Sequence, residues 1–154
     1  IEAIADVRSF PGSRKYPQYG KEALAATLAA HALGYHWLQA LGGRRHVAPD
    51  SPNTAWRNAS FRGYADYMAG AGFAQGLDQF LELASQSRTA LMCAEAVWWR
   101  CHRSMIADAL CARGVKVVHI LDGKHATLHP MTSPACIVDG RLTYVPAASD
   151  AQVN

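Results

Sequence analysis

No apolar run in this sequence approaches the length that crosses a bilayer, so no membrane partner is expected. Charge is scarce as well. Only 18% of residues are charged, and the formal net charge is +3 with seven histidines uncounted. A balance this mild does not by itself argue nucleic-acid binding. Cysteine is sparse: Cys93, Cys101, Cys111 and Cys136 are the four, with no CxxC pair among them. Cysteines so few and so spaced make a reduced, cytoplasmic setting the better reading than a disulfide framework. Cys111 and Cys136 read as small buried hydrophobes. No internal repeat is present, which excludes a solenoid. The first residue is Ile1 rather than Met and already lies in an apolar segment, so some native sequence is expected to precede it.

Half of the 154 residues are hydrophobic, which suits one folded domain over 1–154 with a loose tail from 146. Residues 1–7 read as a buried strand closed by Pro11-Gly12, and 8–20 as a basic loop. Ala and Leu make 21–33 helical, with Gly34 as its stop. A second strand over 35–38 is followed by a long loop, 42–58, with paired Gly, paired Arg and two prolines. Helices follow over 60–68 and 73–84, each with apolar residues at helical spacing. Residues 89–93 form a third strand, 101–113 a helix closed by Gly114, and 115–121 a fourth strand. Asp139-Gly140-Arg141 marks a hairpin between 135–138 and 142–145. Apolar strands alternating with helices predict an α/β fold: a Rossmann-like three-layer domain, a mainly parallel sheet of about four strands, and a C-terminal hairpin.

In such sheets the ligand lies at the carboxyl ends of the strands. Asp6, Arg8, Arg14 and Lys15 follow the first strand, and Arg44, Arg45, Arg57 and Arg62 the second. Cys93, Glu95, Arg100, Cys101, His102 and Arg103 follow the third. Nine of the fifteen Lys and Arg therefore gather on one predicted edge (Arg8, Arg14, Lys15, Arg44, Arg45, Arg57, Arg62, Arg100 and Arg103). Loops are polar in any case, which explains each one singly. The concentration, with helices so poor in charge, points to an anionic ligand. The dominance of arginine suits bidentate contact with phosphate or carboxylate.

The third loop is the most specific feature. Cys93 ends an apolar strand, and Cys101-His102-Arg103 opens a helix. A helix N-terminus carries partial positive charge, which favours anions and thiolates. Catalytic candidates are therefore Cys93, Cys101, Glu95 as acid or base, and Asp6, which interrupts an apolar strand. Arg8, Arg14, Arg44, Arg100, His102 and Arg103 are the candidates for binding the anion. The plainer readings are packed cysteines near a capped helix, and ion pairs for Asp6 with Arg8 and for Glu95 with Arg100 or Arg103. A metal bound by Cys93, Cys101 and His102 is the alternative, but no standard zinc spacing appears and no metal is assigned. Trp98 and Trp99 are a lid or a base-stacking platform on one reading and an apolar plug on the other. His36 and His119 read as core or edge histidines.

The loop resembles that of thiol phosphatases and rhodaneses in placing a cysteine between strand and helix, although the spacing from Cys93 to Arg100 is one residue too long for the phosphatase loop. Asp6-Val7-Arg8-Ser9-Phe10-Pro11-Gly12-Ser13-Arg14, Leu41-Gly42-Gly43-Arg44, Phe61-Arg62-Gly63-Tyr64-Ala65-Asp66-Tyr67-Met68, Leu91-Met92-Cys93-Ala94-Glu95 and Arg100-Cys101-His102-Arg103 look like the conserved blocks of domain-of-unknown-function family 488. The resemblance runs from residue 1 to about 121. It implies a small bacterial α/β protein of Rossmann-like topology, with these same loops as its site. The family opens with a strand ending in an Ile-Gly-His-Ser type of motif, absent here, and often has proline where Trp98 stands. Two functions fit these residues. One is an enzyme acting on a phosphorylated or nucleotide-like small molecule. The other is a nucleic-acid-binding or processing module that uses the same basic loops.

Overall fold

The structure, a computed structural model, describes residues 1–147; the expected tail lies largely outside them. The chain divides into two compact units. The first comprises Ile1–Arg44 and Gly70–Ala96. The second comprises Arg45–Ala69 and the described residues from Val97 onward.

In the first unit β1 (Ala3–Asp6), β2 (Gly34–Trp37) and β3 (Thr89–Met92) form a parallel sheet in the order β2-β1-β3. Asp6 pairs with Trp37 on one side and Met92 on the other, so the strands end level. The central strand is short and apolar before Asp6, as a strand covered on both faces has to be. Helix α1 (Lys21–Ala30) joins β1 to β2 and packs on β2. It stops earlier than its composition suggests. Ala32, at φ 57, takes the left-handed position, and the Leu33 amide donates back to the Leu28 carbonyl, so Gly34 is released to start β2. A second sheet-side helix, spanning Ala71–Gln86, leads into β3 and lies on the turn Gln39–Leu41. Gly76 permits that approach: a Cβ there would sit 2.9 Å from the Ala40 Cβ.

The second unit begins with α2 (Ala59–Met68), preceded in space by a loop that its own Asp66 holds; the sheet-side helix just described is α3. Asn58 caps α2 by accepting from the Ser60 and Phe61 amides. Next comes α4 (Arg103–Ala112), whose residues Ser104 to Leu110 are all buried. It ends as expected at Gly114 (φ 79), with the Val115 amide on the Leu110 carbonyl. The remaining strands form two antiparallel ribbons. β4 (Val118–Ile120) pairs with β5 (Ala126–Leu128), and β6 (Cys136–Val138) pairs with β7 (Arg141–Thr143), which contacts α4. Asp139 and Gly140 both take positive φ, the type I′ turn their sequence calls for.

The apolar segment expected as a fourth parallel strand is therefore β4, and it does not join the parallel sheet. A short apolar run does not encode its partner, and the nearby Asp122-Gly123 turn folds it onto β5. Cys136 is exposed rather than buried, because β6 lies in a two-stranded ribbon. Cys111 is partly buried and its thiol is pushed up by that burial. None of the described helices is long and apolar enough to cross a membrane.

Candidate functional site

In the sheet unit, β1 is the strand at which the chain order reverses, with β2 on one side and β3 on the other. The residues that leave its carboxyl end are tightly organised. Asp6 is fully buried, and the Arg8 guanidinium clasps it: Nε lies 2.9 and 3.1 Å from the two carboxylate oxygens and Nη2 lies 2.7 Å from Oδ2. Arg8 Nη1 donates to the Tyr19 carbonyl, and the Tyr35 hydroxyl donates to Asp6. The Asp6 hydrogen bonds hold the Arg8 charge firmly in place; burial, then Asp6, pushes the Tyr35 phenol up. The Asp6–Arg8 ion pair is thus formed, and it anchors the loop that carries the remaining residues.

Beyond that pair the edge opens. Ser9 Oγ accepts the Arg44 amide, and the Arg44 guanidinium lies 5.7 Å from the Phe10 ring. Arg14, Arg44 and Glu95 are exposed. Cys93 is partly buried and directly follows Met92, whose carbonyl accepts the Val7 amide at 2.9 Å.

The second unit holds Arg100, Cys101, His102 and Arg103. The backbone at Cys101 is extended, and its sulfur stands at the N-terminus of α4. Sγ accepts the Arg103 amide at 3.5 Å and Arg103 Nε at 3.3 Å, and lies 3.5 Å from His102 Nδ1. The sulfur accepts an amide two residues on, as the Asn58 oxygen does for α2, although the residue directly before α4 is His102. A thiol replaces the usual oxygen acceptor, facing a helix N-terminus and a guanidinium. Both favour the anionic sulfur over the neutral one. Cys101 is 2% exposed: that burial opposes the charged sulfur, and it also leaves these contacts little screened by water. A thiol and an imidazole are donors of the kind zinc takes, but neighbouring residues rarely both reach one ion and a closed zinc site needs four ligands. Arg100 is exposed at the end of the turn Trp98–Arg100.

A further cluster lies along α4. The Asp108 carboxylate is fully buried and receives four hydrogen bonds: from the Thr132 amide and hydroxyl, from the Tyr144 hydroxyl, and from His129 Nε2 at 2.8 Å. His129 Nδ1 is 2.8 Å from His119 Nε2. The His119 ring stacks on Trp98 with centroids 4.0 Å apart and planes 2° apart. Burial, then His129, then the Arg103 charge hold His119 down to about 4. Burial, then Asp108, drives the Tyr144 phenol up. The signal for this cluster is a lone carboxylate on the apolar face that Met105, Ile106, Ala109 and Leu110 define.

The long loop before α2 is pinned rather than loose. Asp66 accepts the Ala48 amide, the Ser51 hydroxyl and the Asn53 side chain. Burial works against the charged form, but these bonds outweigh it and hold the Asp66 carboxyl below its ordinary range. Gly63 lets α2 meet that loop, since a Cβ there would lie 2.7 Å from the Arg45 carbonyl.

The fold and these groups define an α/β protein with a parallel sheet, a capped thiol and a buried carboxylate–histidine cluster. The chain belongs to the family described as domain of unknown function DUF488, whose model matches residues 1–110. Cys93, Cys101 and Asp108 fall inside the match, and His119, His129, Thr132 and Tyr144 lie beyond it. No curated protein and no solved structure matches the chain.

Proposed function

We propose that this chain is an enzyme acting on a phosphorylated or nucleotide-like small molecule, with the Cys101 thiolate as its reactive group. The observation that supports this reading is the double donation to one sulfur, from the Arg103 amide and the Arg103 guanidinium. A neutral thiol gains little from two donors, and a thiolate gains a great deal. The same helix N-terminus, with Arg103 and the exposed Arg100, suits the phosphate of a substrate. A small molecule is favoured over a nucleic acid by two facts. Cys101 is buried, which suits a small reactant better than a bulky polymer. Trp98, one ring available for base stacking, is already stacked on His119.

The test is a titration with inorganic phosphate and with a nucleoside monophosphate, followed by amide NMR. Saturable shifts are expected at the Arg103 and Ser104 amides, weakened about tenfold or more in Arg103→Ala because a charge-assisted hydrogen bond is lost. Amides that stay unmoved at millimolar ligand, or an affinity indifferent to Arg103, would overturn the reading.

A further inference from the structure

Asp108, His129 and His119 stand in line, each link 2.8 Å long. The side chains of Asp108 and His129 are fully buried. The line ends at His119, which is only partly buried and has Nδ1 as its outer nitrogen. Four kinds of group face that ring. Trp98 stacks on it, His129 bonds to it, Arg103 of α4 imposes its charge, and Thr127 lies opposite on β5. A purely structural role explains why Thr132 and Tyr144 bind Asp108, since both tie the C-terminal segment to α4. It does not call for a second histidine leading outward from the first.

We propose that Asp108, His129 and His119 form a proton relay whose working end is His119, taking a proton from a hydroxyl, thiol or water of the anionic substrate proposed above. In the step the X–H bond breaks and its electron pair stays on X. The proton goes to His119 Nδ1. The proton on His119 Nε2 crosses to His129 Nδ1, and His129 becomes an imidazolium whose Nε2–H still donates to Asp108. His119 finishes neutral, with its tautomer exchanged. The charge rests at His129 because the Asp108 carboxylate lies against it, while the Arg103 charge and burial oppose an imidazolium at His119. Arg103 also donates to Cys101, so the thiol and the relay answer to one guanidinium.

The proposal rests on the preceding reading for its substrate but not for its test. Long-range proton–nitrogen spectra of the histidine side chains in the full chain, recorded as pH falls, report each ring nitrogen. His129 is expected to gain its Nδ1 proton as the His119 proton moves from Nε2 to Nδ1, the two changes sharing one midpoint. His129→Gln should uncouple them, leaving His119 to gain its second proton with no tautomer exchange, still held down by burial and the Arg103 charge. Arg103→Gln should move the shared midpoint to higher pH. A His119 that becomes doubly protonated before His129 changes would overturn the relay. So would a pair that keeps one tautomer until the protein unfolds. Cys101→Ser, which removes the thiolate, is expected to leave the exchange intact, so failure of one reading is distinguishable from failure of the other.

Discussion

Replacing Asp108 by alanine removes one acceptor from four donors at once. Two of them, the Thr132 and Tyr144 hydroxyls, can turn toward other partners. The Thr132 amide and His129 Nε2 are fixed by the backbone and by the bond to His119. A buried donor left bare costs about 1–3 kcal/mol, so the two fixed ones cost about 2–6 kcal/mol together. Domains of this size are stable by about 5–15 kcal/mol, which places Asp108→Ala near the limit of folding. Asp108→Asn is a gentler change. Its oxygen can serve both fixed donors, and its amide can donate to the two hydroxyls. It loses charge assistance alone, about 1–2 kcal/mol. Urea unfolding followed by tryptophan emission reads this directly, because Trp56, Trp98 and Trp99 all belong to the second unit. If Asp108→Ala falls within about 0.5 kcal/mol of the parent, the range of an ordinary surface change, the carboxylate is not the organising centre. If Asn costs as much as Ala, the donors are not fixed as described.

Arg8→Ala should destabilise by about 3–5 kcal/mol, since it leaves the Asp6 carboxylate buried and unpaired by charge. Arg8→Lys should restore only part of that in a thermal melt, because an ammonium cannot span both oxygens; full restoration would contradict the bidentate account. Stability should also fall with pH through His119, which titrates near 4 when folded and near 6.5 when unfolded. Between those values only the unfolded chain binds the proton, so the contribution is complete above 6.5 and declines toward 4. His119→Gln should flatten that limb of the stability profile, and an unchanged slope would assign it to another group.

The sheet was readable because β1 and β3 are apolar almost throughout, and the ribbon of β6 and β7 because Asp139-Gly140 demands a tight turn. The partner of β4 was not readable. Residues 115–121 carry five large aliphatic side chains around Lys116 and His119, enough to read as a sheet strand, and Asp122, which folds the chain back by accepting the Lys124 and His125 amides, is a local signal easily passed over beside them. The loops at the sheet edge stood out through arginine and cysteine placement. The structure divides them between the two units, with Asp6, Arg8, Arg14, Arg44, Cys93 and Glu95 in one and Arg100, Cys101, His102 and Arg103 in the other. The relay left almost no trace in the sequence. Asp108, His129 and Tyr144 are far apart in the chain, and no spacing rule links them. Only a charge on the apolar face of α4 hinted that a partner had to exist.

The ultraviolet absorbance of the thiolate, taken as the difference between the parent and Cys101→Ser across a pH titration, isolates one sulfur among four cysteines. The Cys101 thiolate is predicted to appear well below the ordinary thiol midpoint of about 8.5, and to move upward in Arg103→Ala. A transition at or above that midpoint, or one indifferent to Arg103, would mean that the sulfur at the head of α4 is only a packed thiol.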